Sequence, residues 1–278
     1  MKASKVCYEC LHRLIIQAAT LATDDLRLRA RAIQKSLDIL KADFSLDEIS
    51  IGVATRIHKV IKEITGNLDP YREMKDAEIA AARALFDNSS FKYGGLKSCV
   101  ELAALGNAID FFRPIEVVKK ELNASMRFVI DDSEKFAVKL KGASKVLYLG
   151  DNAGEVFFDL PLVKFLRQFV PVVYVVKGAA VQNDVTLGDV RQSGLDSDIG
   201  DIITTGTATP GIDFTLASSE FKQEFANADL VFAKGMGYYE SLSELPAEGR
   251  VLHCLKAKCQ PVADSIGVPL NSYLTLFR

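Results

Sequence analysis

The sequence predicts an α/β protein: a doubly wound three-layer α/β/α sandwich on a mostly parallel sheet, with an all-helical region in front of it. Two observations carry this. Up to about residue 125 the apolar residues recur at helical spacing, and few segments look like strands. Beyond it, five short apolar runs rich in branched residues alternate with stretches long enough for a helix, the signature of βαβ units with right-handed crossovers. The expected division is a helical subdomain, 1–125, and an α/β subdomain, 126–278.

The helices follow in order. Leu11, Leu14, Ile15, Ala18 and Leu21 share one face, as do Leu26, Ala30, Ile33, Leu37 and Leu40. Ser45 and Glu48 have capping-box spacing ahead of a stripe of Ile49, Val53, Ile57, Ile61 and Ile64, and Gly66 supplies a stop. Pro70 opens a helix over 71–85. Further helices are expected over 96–112 and from Pro114 to about Leu122. The strands are KVLYL (145–149), PVVYVV (171–176), DIITT (201–205), DLVFA (229–233) and RVLHCL (250–255). Their apolar runs are continuous rather than alternating, as in a sheet covered on both faces.

Composition narrows the function. Half the residues are hydrophobic (49%) and a quarter charged (25%), which suits a globular chain with a substantial core. The net charge of −2, with no basic stripe, gives no reason to expect a nucleic-acid partner. No apolar run approaches the roughly 20 residues needed to span a bilayer. The start, MKASKVCYECLHRL, lacks the apolar region and cleavage site of a signal peptide, so a cytoplasmic protein without a membrane partner is expected. The five cysteines are an odd number, against a disulfide framework. Cys7 and Cys10 form a lone C-x-x-C. Cys254, Cys259 or His12 can complete a zinc site if the fold gathers them, but reduced thiols are the favoured reading.

In an open parallel sheet, ligands bind beyond the carboxyl ends of the strands. Gly150, Asp151 and Asn152 follow the first run; Lys177, Gly178, Asn183 and Asp184 the second. Gly206, Thr207, Gly211 and Asp213 follow the third; Lys234, Gly235, Gly237 and Glu240 the fourth; Lys258 and Cys259 the fifth. Oxygen donors suit Mg²⁺ or Mn²⁺, glycines let main-chain N–H groups approach a phosphate, and lysines supply charge. Together they describe metal-assisted phosphoryl chemistry. Each piece has a plainer reading. Asp151 and Asn152 can cap the helix that begins near Gly154, Asp184 can be a turn residue, and Lys234 a solvated strand end. Asp159 is expected to face solvent or support its loop. Dinucleotide, P-loop and nucleophile-elbow motifs are absent, and no histidine stands out as a general base.

DNAGE (151–155) with Phe158-Asp159, NDVT (183–186), KGMGYYE (234–240), LKAKCQPVA (255–263), TGNLDPYREMK (65–75), GNAID (106–110) and the early C-x-x-C together resemble the metal-dependent damage-control phosphatase family, long catalogued as a domain of unknown function, in its prokaryotic stand-alone branch. The likeness covers nearly the whole chain. It implies a Rossmann-like α/β/α core behind a helical N-terminal region. It also implies hydrolysis of phosphate monoesters, such as sugar phosphates and damaged phosphometabolites, with a divalent cation: Mg²⁺, Mn²⁺, Co²⁺ or Ni²⁺. By matched position, Asp151, Asn152 and Asp184 would hold the cation and Lys234 the substrate phosphate. Gly206 and Thr207 would lie in a phosphate-contacting loop, with N–H groups near Gly206 and Gly235 on the phosphoryl oxygens. Asn107 would reach in from the helical region, and Glu240 would organise the last loop. Many members carry an Asn after the Lys-Gly pair, where this chain has Gly237 and Tyr238. Two other functions compete: an S-adenosylmethionine-dependent carboxyl methyltransferase, and a non-catalytic, metal-dependent phosphometabolite-binding protein.

Overall fold

The computed structural model describes residues 1–87, 94–107 and 127–278. Elements are numbered here along those residues. The N-terminal helices are α1 (Lys5–Ala22), α2 (Leu26–Asp43), α3 (Ser50–Thr65) and α4 (Arg72–Asp87). Leu11, Ile15, Ala18, Leu40, Ile57 and Ile61 close a shared core among α1, α2 and α3. The apolar stripe of α2 is rotated from its expected place. Ala32, Ser36 and Leu40 are buried, whereas Leu26 and Ala30 are exposed. The expected capping box at Ser45 does not form. The Ser45 hydroxyl accepts the N–H of Asp47 in a local turn, and α3 begins only at Ser50. Gly66 ends α3 in the left-handed conformation, φ 72°, returning its N–H to the Lys62 carbonyl. Helix α5 (Leu96–Gly106) follows. The expected continuation to residue 112 and the helix at 114–122 lie outside the described residues.

The seven strands of the sheet are β1 (Phe128–Asp131), β2 (Val146–Leu149), β3 (Val172–Val176), β4 (Ile202–Thr204), β5 (Leu230–Lys234), β6 (Val251–Lys256) and β7 (Tyr273–Phe277). Their spatial order is β1-β7-β6-β5-β2-β3-β4. Every pairing is parallel except β6 with β7. The sequence reading missed β1 and β7. The first is a half-exposed edge strand, and the second returns antiparallel after a helix, so neither shows a continuous buried run.

Helices cover both faces. Helix α6 (Ser133–Leu140), helix α7 (Val156–Leu166) and α5 lie on one side. There Val146, Tyr148, Val172, Tyr174, Leu230 and Phe232 meet Phe136, Val156 and Val163. The alternate residues, Leu147, Leu149, Val173, Val175, Val231 and Ala233, pack on α10 (Ser219–Asn227) and α11 (Gly235–Leu242). Alternation to opposite faces with both faces buried is why these strands read as unbroken apolar runs. The short helices α8 (Leu187–Gln192) and α9 (Asp196–Ile199) lie between β3 and β4, and α12 (Gln260–Ile266) between β6 and β7.

Candidate active site

The chain winds outward from β2 to β3 and β4, then crosses back to β5 and β6. The direction reverses between β2 and β5, so the loops after those strands flank the topological switch point where open α/β sheets bind ligands. Asp151 follows β2 and Gly235 follows β5. Gly235 has φ 76°, and a Cβ there would stand 2.0 Å from Asp151 Oδ2, so this contact requires glycine.

After β2 the chain makes a single 3₁₀ turn, Ala153–Glu155, before α7. Asn152 precedes that turn, but its side chain makes no cap bond. Its Nδ2 donates instead to Glu155 Oε1 at 2.6 Å and Asp151 Oδ2 at 3.3 Å. This excludes the capping reading for Asn152. The amide is fixed by its nitrogen, and its Oδ1 accepts no hydrogen bond among the described residues. Asn107, at the end of α5, donates Nδ2 to Asp151 Oδ2 and to Glu155 Oε1, both at 2.8 Å, and accepts the Lys256 N–H at 3.2 Å. One amide thus ties the β2 loop to the end of β6.

Asp184 stands in the loop after β3. Its backbone bridges to that of Asn152, and the flanking bonds Ala153 N–H to Asn183 O and Val185 N–H to Asp151 O are 2.9 and 2.8 Å. The two loops that carry the acids are therefore stitched together by main chain. Asp184 is buried, and Lys177 Nζ lies 3.4 Å from its Oδ2. Burial lifts the Asp151 carboxyl well above the ordinary carboxylate range, and Glu155 and then Asp184 raise it further against the pull of Lys258 and Lys177. Burial raises Asp184 as well, against Lys177.

The helical region grips this loop from outside. Thr186 caps α8 and pairs with Asp189, which is fully buried. From α4, Arg72 reaches Asp189 at 2.6 Å and the buried Lys75 reaches it at 3.1 Å. Burial alone would raise the Asp189 carboxyl; Lys75, Thr186 and Arg72 outweigh it and hold the group below its usual value. Glu78 accepts from Asn183, next to Asp184, at 3.1 Å, and Lys62 donates to the Ala180 carbonyl.

Lys234 does not sit where a phosphate cation would. It is fully buried, and its Nζ lies 2.6 Å from the Ala103 carbonyl, 2.6 Å from Asp159 Oδ1 and 2.7 Å from Glu155 Oε2. Two of its N–H groups are donated to the Ala103 carbonyl and Asp159, and Glu155 Oε2 stands beside it as an ion-pair partner, so the ammonium is turned toward buried protein oxygens and this placement does not support the expectation that Lys234 holds substrate. Burial alone would lower its pKa, but Asp159 and Glu155 hold it above the ordinary lysine value. Asp159 does not face solvent either; it is buried and accepts from Tyr148 and Tyr174, each at 2.8 Å. Sequence reasoning missed Glu155 as a site residue although it closes the DNAGE motif.

On the third loop, Gly206 has φ 75°, and the Thr207 carbonyl accepts the Gly178 N–H at 2.9 Å. The Thr207 hydroxyl is buried and has no hydrogen-bond partner among the described residues. Glu240 points away from the acid pair. Its carboxylate accepts from Ser50 of α3 at 3.3 Å, and its carbonyl accepts from the N-terminal amine, so it docks the helical region rather than organising the site loop. Cys99 and Cys254 are buried beneath the helices. No group of three or more His, Cys, Asp and Glu side chains among the described residues is placed to hold a metal, so no second, cysteine-based centre is evident among them.

The donor set at the rim is the half-buried carboxylate of Asp151, the buried carboxylate of Asp184 and a carboxamide oxygen, on two loops joined by main chain. Desolvation first, and then the neighbouring carboxylates of Glu155 and Asp184, raise the Asp151 carboxyl. All three are hard oxygen donors, and the residues present fit an oxygen-preferring divalent cation.

Residues 3–274 match the family described as the damage-control phosphatase ARMT1-like domain. The damage-control phosphatase PH1575 of Pyrococcus horikoshii is 33% identical over 99% of this chain and 98% of its own. A damage-control phosphatase of Archaeoglobus fulgidus is 34% identical over 96% of both. The crystal structure of the DUF89 family protein from P. horikoshii superposes with a TM-score of 0.91 at 31% identity, covering 100% of this chain and 99% of that one. Fold, length and sequence agree throughout, and the chain belongs to the damage-control phosphatase ARMT1-like family.

Proposed function

We propose that the protein is a divalent-cation-dependent phosphatase acting on small phosphomonoesters, such as sugar phosphates or damaged phosphometabolites. The observation that carries this reading is the half-buried Asp151 and the buried Asp184 on two loops stitched together at the switch point beside Asn152, with carboxyls that burial raises and that Lys177 and Lys258 only partly offset. Asp151, Asn152 through Oδ1, and Asp184 would hold Mg²⁺, Mn²⁺, Co²⁺ or Ni²⁺. The cation would supply charge neutralisation at the phosphoryl group.

The chain's own residues do the rest. Asn107 and Glu155 hold Asp151 and Asn152 in one orientation. Lys258, half-buried at the end of β6 and near enough to pull on the Asp151 carboxyl, adds positive charge at the rim. The Thr207 hydroxyl, without a partner among the described residues, and the main-chain N–H groups near Gly235 would be the donors for the remaining phosphoryl oxygens, while those of Gly206 and Thr207 would first have to leave the Thr204 and Thr205 hydroxyls. The phosphatase names of the relatives do not favour the methyltransferase alternative.

The test is a phosphate-release screen over phosphomonoesters on chelator-treated protein, repeated with each of the four cations. Activity should appear only with metal. Asp151→Ala should lose at least about 100-fold in turnover, a barrier increase of about 2.7 kcal/mol. Near-parent activity in that variant would overturn the assignment.

A further inference from the structure

Two lysines are buried at the catalytic end of the sheet, and they are held very differently. Lys234 has three oxygen partners at 2.6–2.7 Å. Lys177, the first residue after β3 and equally buried, has one such bond, 2.5 Å to the Gly211 carbonyl. Its second partner, Asp184, is 3.4 Å away, longer than the roughly 2.7–2.9 Å of a charge-assisted hydrogen bond. Its third neighbour is the face of Tyr238, 4.1 Å from the ring centroid. Lys177 thus stands next to one carboxylate of the acid pair and close enough to act on the other, Asp151.

Its surroundings are also unfinished. The hydroxyls of Thr207 and Thr209 are buried with no hydrogen-bond partner among the described residues. Thr207 lies against Gly178, directly after Lys177, and Thr209 lies in the same loop as Gly211. Buried hydroxyls left unpaired are costly, so two of them on the loop that also holds Lys177 through Gly211 suit a place that an oxygen-rich visitor completes.

We propose that Lys177 is a catalytic residue that exchanges partners. Its ammonium neutralises Asp184 while the cation site is empty. When a divalent cation takes Asp184, it turns to the oxygens of the transferred phosphoryl group. The proposal rests on the phosphatase reading above. It assigns to Lys177 the phosphate contact that the sequence motif suggested for Lys234. Gly211 keeps one N–H in place throughout, so the change is a pivot of the ammonium.

The first measurement is calorimetric titration of Mn²⁺ alone into the metal-free full chain, wild type against Lys177→Met. A competitor for Asp184 is removed, so Mn²⁺ should bind the variant at least about fivefold more tightly. Turnover at saturating Mn²⁺, on the best substrate of the screen, should fall at least about 100-fold. Mn²⁺ binding unchanged or weaker, or turnover of the variant at saturating Mn²⁺ within about threefold of wild type as a mere counter-ion would leave it, overturns the proposal. Should the variant not fold, crystals of the wild type with Mn²⁺ and orthovanadate decide. Lys177 Nζ within about 3.2 Å of a vanadate oxygen supports the exchange, and Nζ still on Asp184 overturns it. Tighter Mn²⁺ binding by the variant, with no phosphate release by the wild type, sinks the phosphatase reading and leaves the competition for Asp184 standing.

Discussion

Replacing Lys234 with Met separates a structural cation from a substrate-binding one. The substitution keeps the length of the side chain and removes its charge from between Glu155 and Asp159, all three of which are fully buried. Asp159 would keep the Tyr148 and Tyr174 hydroxyls, and Glu155 would keep Asn107 and Asn152. What disappears is the counter-charge for two carboxylates and the partner of the Ala103 carbonyl. Breaking a buried ion pair by removing one partner costs about 3–5 kcal/mol. For a chain of this size that lowers the melting temperature by roughly 10 °C. The sign of its pH dependence is fixed. Burial already raises the Asp159 carboxyl against the pull of Lys234, so without the lysine it rises further, which favours folding at low pH and loses that contribution as pH rises. The deficit of Lys234→Met should therefore be largest at pH 7–8 and shrink toward pH 5. Thermal and urea melts of the metal-free protein at several pH values measure it. A variant that loses activity but stays within about 1 kcal/mol of wild type across that range would refute the reasoning and return Lys234 to the substrate.

Other expectations follow from the same geometry. Asp189→Asn takes one of two carboxylates from the buried Lys75, which keeps Asp69 at 2.8 Å, and breaks the ion pair with Arg72, so it should cost about 1–3 kcal/mol and weaken Mn²⁺ binding by loosening the Asp184 loop; calorimetry and urea melts check both. Gly235→Ala forces a side chain into the left-handed region and against Asp151, so turnover should fall at least about tenfold, read from phosphate-release kinetics. His253 is buried neutral, its pKa pushed down to about 3 by burial. The unfolded chain takes up its proton near pH 6.5 and the folded chain does not, so this residue's contribution is present above that pH and lost as pH falls toward 3. The stability difference between wild type and His253→Phe should therefore shift against wild type by about 1.4 kcal/mol per pH unit between pH 6 and 4, measured by denaturant melts.

Strands β2, β3, β5 and β6 were legible because both faces of the sheet are covered there, and their expected ends, like those of the edge strand β4, fall within a residue or so of the observed ones. The acid pair was legible because the carboxyl ends of such strands are where polar residues must have a reason to gather. Lys234 shows the limit of that argument. A lysine at a strand end looks the same in sequence whether its head group rises to the rim or turns beneath it. Strand alternation held the answer: Lys234 shares parity with Leu230 and Phe232, which face the α5 and α7 layer, and its ammonium goes where they go. Glu155 and Asp159 are likewise four residues apart and reach the same ammonium from the start of α7. Glu240 was misplaced for a different reason. Its partner, Ser50, is distant in the chain, and no local pattern announces a contact between α3 and α11.

The grip of α4 on the β3–α8 loop bears on how such enzymes can be recombined. Arg72, Lys75 and Glu78 from one helix meet Asp189 and Asn183 beside a proposed cation ligand. A chimera that joins this α/β half to the helical half of a distant relative must therefore carry those five side chains as a set. A mismatched graft would strand buried charges at the seam and leave the Asp184 loop held only from the sheet side, by its main-chain bonds to the β2 loop.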